Sequence, residues 1–202
     1  MRAFEHISQT QRGFSAPYRI ASPRTREIAR RALFPVALIA AVAMSALGFQ
    51  LMALRIGLTD SACPPGIYRM VYRTPSRGDL VLVCLPAALA QLGQARGYLA
   101  RGCGCADGIE PLGKVLSALP GDSVEVTRDY IAVNGRRLQN SATLSRDSRG
   151  RSVPHLTWGR YTVRPNQVWL LGTKDARSWD SRYFGPVPAS SIRAALEPVL
   201  TW

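Results

Sequence analysis

The chain predicts a mainly β domain carried behind one apolar helix. Three observations point there. Short β-prone runs alternate with turn signals from about residue 60 onward, amphipathic helical periodicity is almost absent from that stretch, and one long uncharged run precedes it. A length of 202 residues allows one domain of ordinary size beside that run.

Residues 1–32 are polar and arginine-rich, interrupted by Pro17 and Pro23, and read as a basic cytoplasmic tail. Residues 33–54 (LFPVALIAAVAMSALGFQLMAL) carry no charge. A helix of that length rises about 33 Å, enough to cross a hydrocarbon core, and Pro35 falls in its first turn, where a missing amide proton costs little. Arg24, Arg26, Arg30 and Arg31 stand just before the run and only Arg55 just after it. That asymmetry keeps the N-terminus in the cytoplasm. The expectation is a single-pass protein of the inner (cytoplasmic) membrane, with the lipid bilayer as a partner and residues 55–202 forming a periplasmic domain.

Within that domain, Leu58-Thr59-Asp60-Ser61-Ala62-Cys63-Pro64-Pro65-Gly66-Ile67-Tyr68 reads as a turn delivering the chain into a strand. A strand follows over 80–85, then an Ala/Gly-rich excursion over 86–113 with a short helix at 87–96. Lys114 opens an apolar strand that ends in the turn Pro120-Gly121-Asp122. Strands are expected over 123–127 and 130–133, the latter turning through Asn134-Gly135 into 136–138. Residues 139–160 are polar and read as a surface loop. Gln167–Leu171 is another apolar strand, Pro186 and Pro188 mark a loop, and residues 192–196 read as a helical turn or a strand.

The formal charge of +13 invites a nucleic-acid reading, but its machinery is missing: the sequence has no Cys/His finger, no run of five basic residues and no aromatic-interleaved basic patch. No nucleic-acid partner is expected. Attraction to anionic lipid headgroups accounts for the excess equally well.

The basic residues also single out one position. Lys114 and Lys174 are the only lysines among 26 basic residues. Arginine does not give up its proton in a protein. A lysine set among Val, Leu and Ala loses water on folding, which lowers its pKa and makes it a usable base. The plain alternative is a lysine whose stem packs while its head reaches solvent. Lys174, with polar neighbours, is the weaker candidate. His6 lies in the tail and His155 in a polar loop, so the usual base for a serine nucleophile is wanting, and there is no G-x-S-x-G elbow.

Three separated stretches resemble the type I signal peptidases. Ser61-Ala62-Cys63-Pro64 with Gly66-Ile67-Tyr68 resembles their nucleophile box. Lys114, six residues before Pro120-Gly121-Asp122, has the spacing of their lysine box. Gly172 to Gly185, containing Ser178-Trp179-Asp180-Ser181-Arg182, resembles their last box. Thr59-Asp60-Ser61 and the ending Asp180-Ser181-Arg182-Tyr183-Phe184-Gly185-Pro186-Val187 look most like the conjugative-transfer, TraF-type branch. The chain departs from that branch in placing two residues, not one, between Ser61 and Pro64.

This resemblance implies a signal-peptidase-like β-barrel or sheet catalytic domain with a Ser–Lys dyad, a known variant of triad logic. Ser61 would be the nucleophile and Lys114 the general base, then general acid. The Ser61 amide and Thr59 hydroxyl would form the oxyanion hole. Ser178 would orient the Lys114 amine, and Asp180, paired with Arg182, would hold the last box. No cofactor and no metal are implied. The substrate would be an exported precursor protein cut after small residues, a pilin precursor or another conjugation component, with conjugation-apparatus proteins as further partners. A housekeeping-type signal peptidase and a non-catalytic assembly protein of the secretion machinery are the alternative readings.

Four cysteines remain. In an oxidising compartment a disulfide between Cys84 and either Cys103 or Cys105 would staple the excursion. Cys63 is read as a packing residue.

Overall fold

The computed structural model describes residues 23–51, 54–57 and 62–202, with side chains over 33–48, 54–57 and 62–202. The chain divides into two units, Met1–Gly48 and Phe49–Trp202. Helix α1 spans Pro23–Leu51. It starts earlier than the apolar run, with Pro23 in the first helical position, where the missing amide is harmless. Pro35 therefore lies inside the helix rather than in its first turn. Among the described residues no helix is long and apolar enough to cross a membrane.

The second unit is mainly β. Leu54, the last residue of the apolar run, begins strand β1 (Leu54–Gly57), which pairs antiparallel with β2 (Gly66–Val71). The sequence between them carries Ser61. Then come β3 (Leu80–Val83), helix α2 (Ala87–Ala95), β4 (Leu112–Ala118), β5 (Ser123–Val126), β6 (Ile131–Val133) and β7 (Arg136–Arg137). Strands β8 (Gly159–Thr162) and β9 (Gln167–Leu171), helix α3 (Ser181–Phe184), β10 (Val187–Pro188) and β11 (Ile192–Thr201) complete it.

Strands β1-β2-β11-β3-β4-β9-β10 form one seven-stranded sheet, and β7-β6-β5-β8 a second sheet of four. Asn134 (φ 50°) and Gly135 (φ 80°) supply the two positive φ angles that a tight turn between β6 and β7 demands.

One open reading of the sequence is settled and another changes. Of the two alternatives for residues 192–196 the strand holds: they start the ten-residue β11, which is held on both sides by β2 and β3. The loop over 139–160 gives up its end to β8, which pairs with β5 through Val124–Tyr161 and its neighbours.

Strand β9 explains how the layers are joined. Val168 and Leu170 enter a core with Val81, Val83, Leu99 and Leu116, whereas Trp169 and Leu171 enter another with Val124, Val126, Ile131 and Val133. A strand buried on both faces reads as a continuous apolar run, as QVWLL does. On β4, Leu112, Lys114 and Leu116 alternate onto the face of the first core, and a register irregularity between Leu116 and Ala118 lets Ala118 join the second. Lys114 is thus drawn inward by its strand neighbours.

Candidate functional site

Strand β4 places Lys114 opposite Val81 of β3 and leaves it only 4% exposed. Its Nζ donates a hydrogen bond of 2.7 Å to Ser178 Oγ, itself buried. Burial pushes the Lys114 pKa below that of an ordinary lysine. Asp180 pulls it back up, Arg182 opposes Asp180, and Cys63 and Asp175 also favour the charged form. The head of this lysine does not reach solvent.

Ser178 belongs to a loop fixed by its own turn: Asp175 Oδ1 accepts from the Arg177 amide at 2.8 Å, and the Ser178 amide donates to the Asp175 carbonyl at 3.1 Å. Behind it lies an ion pair with both side chains fully buried. Arg182 Nε meets Asp180 Oδ1 at 2.9 Å and Nη2 meets Oδ2 at 3.0 Å, a two-point pairing. Asp180 also caps α3 through the Arg182 amide and accepts from the Gly172 amide. The remaining guanidinium protons go to the carbonyls of Gly172, Ala176, Asn140 and Ala142. Every donor of Arg182 is used, and one side chain ties residues 140–142 to the 172–180 loop that carries Ser178.

Residues 140–142 belong to a segment the sequence reading set aside as a surface loop. Leu144, Arg146, Asp147, Ser148 and Val153 join Tyr98, Leu99, Leu112, Trp179 and Tyr183 in lining a cavity of about 270 Å³, onto which Lys114 and Ser178 open. Asp147 accepts from Tyr98 and Arg151, and those bonds, with the amides of Arg149 and Arg151, hold its carboxyl far below the usual range despite the burial that opposes them. Asn140, in a positive-φ conformation, ties the same segment to the carbonyls of Thr173 and Lys174. The only sequence sign of this role is the scatter of small and apolar residues at 141–144 and 153, too irregular to show a period.

Ser61 and Thr59 lie outside the described residues. The turn resumes at Ala62 and Cys63, which line a second cavity of about 510 Å³ together with Gly57 of β1, Gly113 of β4, Cys103 and Glu110. The turn is tied down from two sides. The Tyr68 hydroxyl donates to the Pro64 carbonyl at 2.6 Å, and the Trp202 amide donates to the Pro65 carbonyl at 3.1 Å. Burial and the hydrogen-bonded Cys63 thiol push the Tyr68 phenol up.

Asp122 closes the strand of Lys114 structurally. It accepts from the Leu119 amide, from Asn134 and from Arg77, which hold its carboxyl down although burial raises it. Cys84 is bridged to Cys105, leaving Cys63 and Cys103 as free thiols. Lys174 is exposed, and His155 stacks on Trp158 at 4.0 Å and lines neither cavity. Chemically, the arrangement offers a desolvated amine on the wall of the first cavity, positioned by a hydroxyl and a buried ion pair.

Comparison with known proteins agrees in kind. The model of the signal peptidase family, peptidase S26, matches residues 26–201. A conjugal transfer protein TraF of Agrobacterium tumefaciens (strain 15955) is 39% identical over 151 residues, spanning 73% of this chain and 82% of the relative. A plasmid transfer protein TraF of Escherichia coli is 35% identical over 172 residues, spanning 83% and 93%. A signal peptidase I of Leptolyngbya laminosa is 26% identical over 121 residues, spanning 60% and 50%.

Proposed function

Because the chain belongs to the signal peptidase S26 family, on the branch of the conjugal-transfer TraF proteins, we propose that it is a membrane-anchored serine endopeptidase whose Ser61–Lys114 dyad cuts exported precursor proteins. The observation that carries this reading is the Lys114 amine, buried and held by Ser178 over the Asp180–Arg182 pair. A serine hydroxyl is a poor nucleophile until a base takes its proton, and an amine whose burial disfavours the charged form is such a base.

In the proposed reaction the neutral Lys114 amine accepts the Ser61 proton as the hydroxyl oxygen attacks the scissile carbonyl. The oxyanion is met by the Ser61 amide and the Thr59 hydroxyl. The ammonium of Lys114 then protonates the leaving amine, and the acyl-enzyme forms. Water, deprotonated by the same lysine, releases the product and regenerates Ser61. Ser178 keeps the amine aimed throughout, and the Asp180–Arg182 pair keeps Ser178 in place.

The substrate is proposed to be a pilin precursor or another conjugation component, cut after small residues. Its neighbours would be proteins of the conjugation apparatus. The anchor is proposed to be residues 33–54, with the N-terminus cytoplasmic and the catalytic domain periplasmic. Support comes from the uncharged run itself and from the exposure of Leu33, Phe34, Val36, Leu38, Ile39, Val42, Met44 and Leu47 along α1.

The test is cleavage of a pilin-like precursor in membranes by the wild type, Ser61→Ala, Lys114→Met and Lys114→Arg, with folding of each variant checked by thermal melting. The expected result is cutting by the wild type alone. A folded Ser61→Ala that still cuts would move the nucleophile elsewhere. A wild type that cuts no exported precursor would favour the non-catalytic assembly role.

A further inference from the structure

Two cysteines outside the disulfide line the second cavity. Cys63 is half-buried and Cys103 exposed; neither is bridged, and both stand on its wall. They come from different parts of the chain. Cys63 follows the proposed nucleophile by two residues. Cys103 sits on a finger formed by residues 100–110.

The finger is the rigid side. The Gly102 amide donates to Gly108 at 3.0 Å, the Cys105 amide to Ile109 at 3.2 Å and the Glu110 amide to Ala100 at 3.0 Å. The Cys84–Cys105 bridge fastens it to the end of β3. It is also pressed onto the lead-in to β4: a Cβ on Gly102 would come within 2.1 Å of Glu110, and one on Gly104 within 2.3 Å of Pro111. The 62–65 turn is held by the two hydrogen bonds at Pro64 and Pro65 and by the packing of Cys63 against Tyr68, Leu82 and Leu196.

We propose that Cys63 and Cys103 are a redox-sensitive pair whose oxidation to a disulfide closes the second cavity and stops catalysis. The oxidant is an external disulfide, either oxidised glutathione or a protein disulfide. Two S–H bonds break and one S–S bond forms on this chain, while the oxidant's S–S bond is reduced to two thiols that take up both protons. A disulfide needs its Cβ atoms about 3.5–4.5 Å apart. Forming it ties the turn to the finger and sets a covalent bar across the cavity that both residues line. The bar stands two residues after the proposed nucleophile in sequence, and a displacement of about 1 Å in a catalytic group costs on the order of 10²-fold in rate. This inference rests on the reading of Ser61 as the nucleophile.

The test uses the full-length protein in membrane vesicles, treated with oxidised glutathione and then with dithiothreitol. Peptide mapping by mass spectrometry follows the cysteines while cleavage of the precursor is timed. The expected outcome is a Cys63–Cys103 peptide, an intact Cys84–Cys105 bridge, a rate at least tenfold lower when oxidised, and recovery on reduction. In Cys103→Ala, the rate should be the same with and without oxidant. Absence of the cross-linked peptide overturns the proposal, as does a shuffled Cys84–Cys103 bridge in its place. A cross-link that leaves the rate unchanged, or a Cys103→Ala variant that stays sensitive to the oxidant, overturns it too. If the fully reduced wild type cuts nothing, the peptidase reading fails, and the mapping still decides whether the pair forms.

Discussion

Burying the Lys114 amine to 4% exposure takes a cation out of water, and the native state bears that cost below its own depressed pKa. Between the folded pKa and the ordinary lysine value of about 10.4, the unfolded chain binds a proton the native one lacks, so stability rises with pH across that window. Lys114→Met removes the titration and keeps the volume. The variant should melt above the wild type at pH values below the folded pKa, with the gap closing as pH approaches 10.4. Each kcal/mol of difference appears as roughly 2–4 °C in Tm for a chain of this size. A gap that does not change with pH would mean that Lys114 is not desolvated in solution. Activity should move in the same direction and fall on the acid side, as the amine becomes charged.

The Asp180–Arg182 pair sets a harder constraint. Removing one partner of a buried pair leaves an uncompensated charge and costs about 3–5 kcal/mol. Replacing both by apolar residues often restores such a loss. It should not do so here, because Arg182 also satisfies the carbonyls of Gly172, Ala176, Asn140 and Ala142. Denaturant melts of Asp180→Asn, Arg182→Met and Asp180→Leu/Arg182→Met should therefore give a double variant no more stable than the better single one. Recovery in the double variant would show that the ion pair alone, not the gathered carbonyls, is what the fold needs.

At the scale of elements, the finger over 100–110 depends on one covalent tie. The Cys84–Cys105 bridge spans 21 residues. In the chain-entropy account a loop of that size is worth about 3 kcal/mol. Cys84→Ala/Cys105→Ala should lower Tm by roughly 6–12 °C on the scale of 2–4 °C per kcal/mol. Losing the bridge should also free residues 100–110 to exchange amide protons faster, while β9 stays protected. Equal loss of protection in β9 would mean that the excursion is part of the global core. Cysteine spacing left Cys103 and Cys105 as equal partners for Cys84, since two residues separated by one position reach almost the same place. The choice is made by the finger's hydrogen bonds, which depend on tertiary contacts.

Across the whole molecule, what was readable was local. Asn134-Gly135 announced its hairpin, QVWLL its doubly buried strand, and Lys114 its inward-facing place, because each signal lies within a few residues. The motif boxes singled out Ser178, Asp180 and Arg182, which the fold places against Lys114 and in one buried pair. The partners of Arg182 at Asn140 and Ala142 were not readable, since they lie about forty positions away with no shared period. Strand β8 was hidden for the same reason: it takes its identity from β5. All three apolar clusters of the described residues lie within residues 49–202. That unit should therefore fold without residues 1–48, with a Tm within a few degrees of the full chain, since it keeps all the apolar clusters of the described residues. Its behaviour toward substrate should differ. A shared bilayer raises the effective concentration of enzyme and precursor, a gain of about 10² or more in avidity when both partners are tethered. The shortened protein should cut a soluble peptide as fast as the full chain but a membrane-embedded precursor about 10²-fold more slowly. Parallel rates on the two substrates, measured in vesicles, would mean that the N-terminal helix does not bring enzyme and precursor together, and the proposed anchor would have to be abandoned.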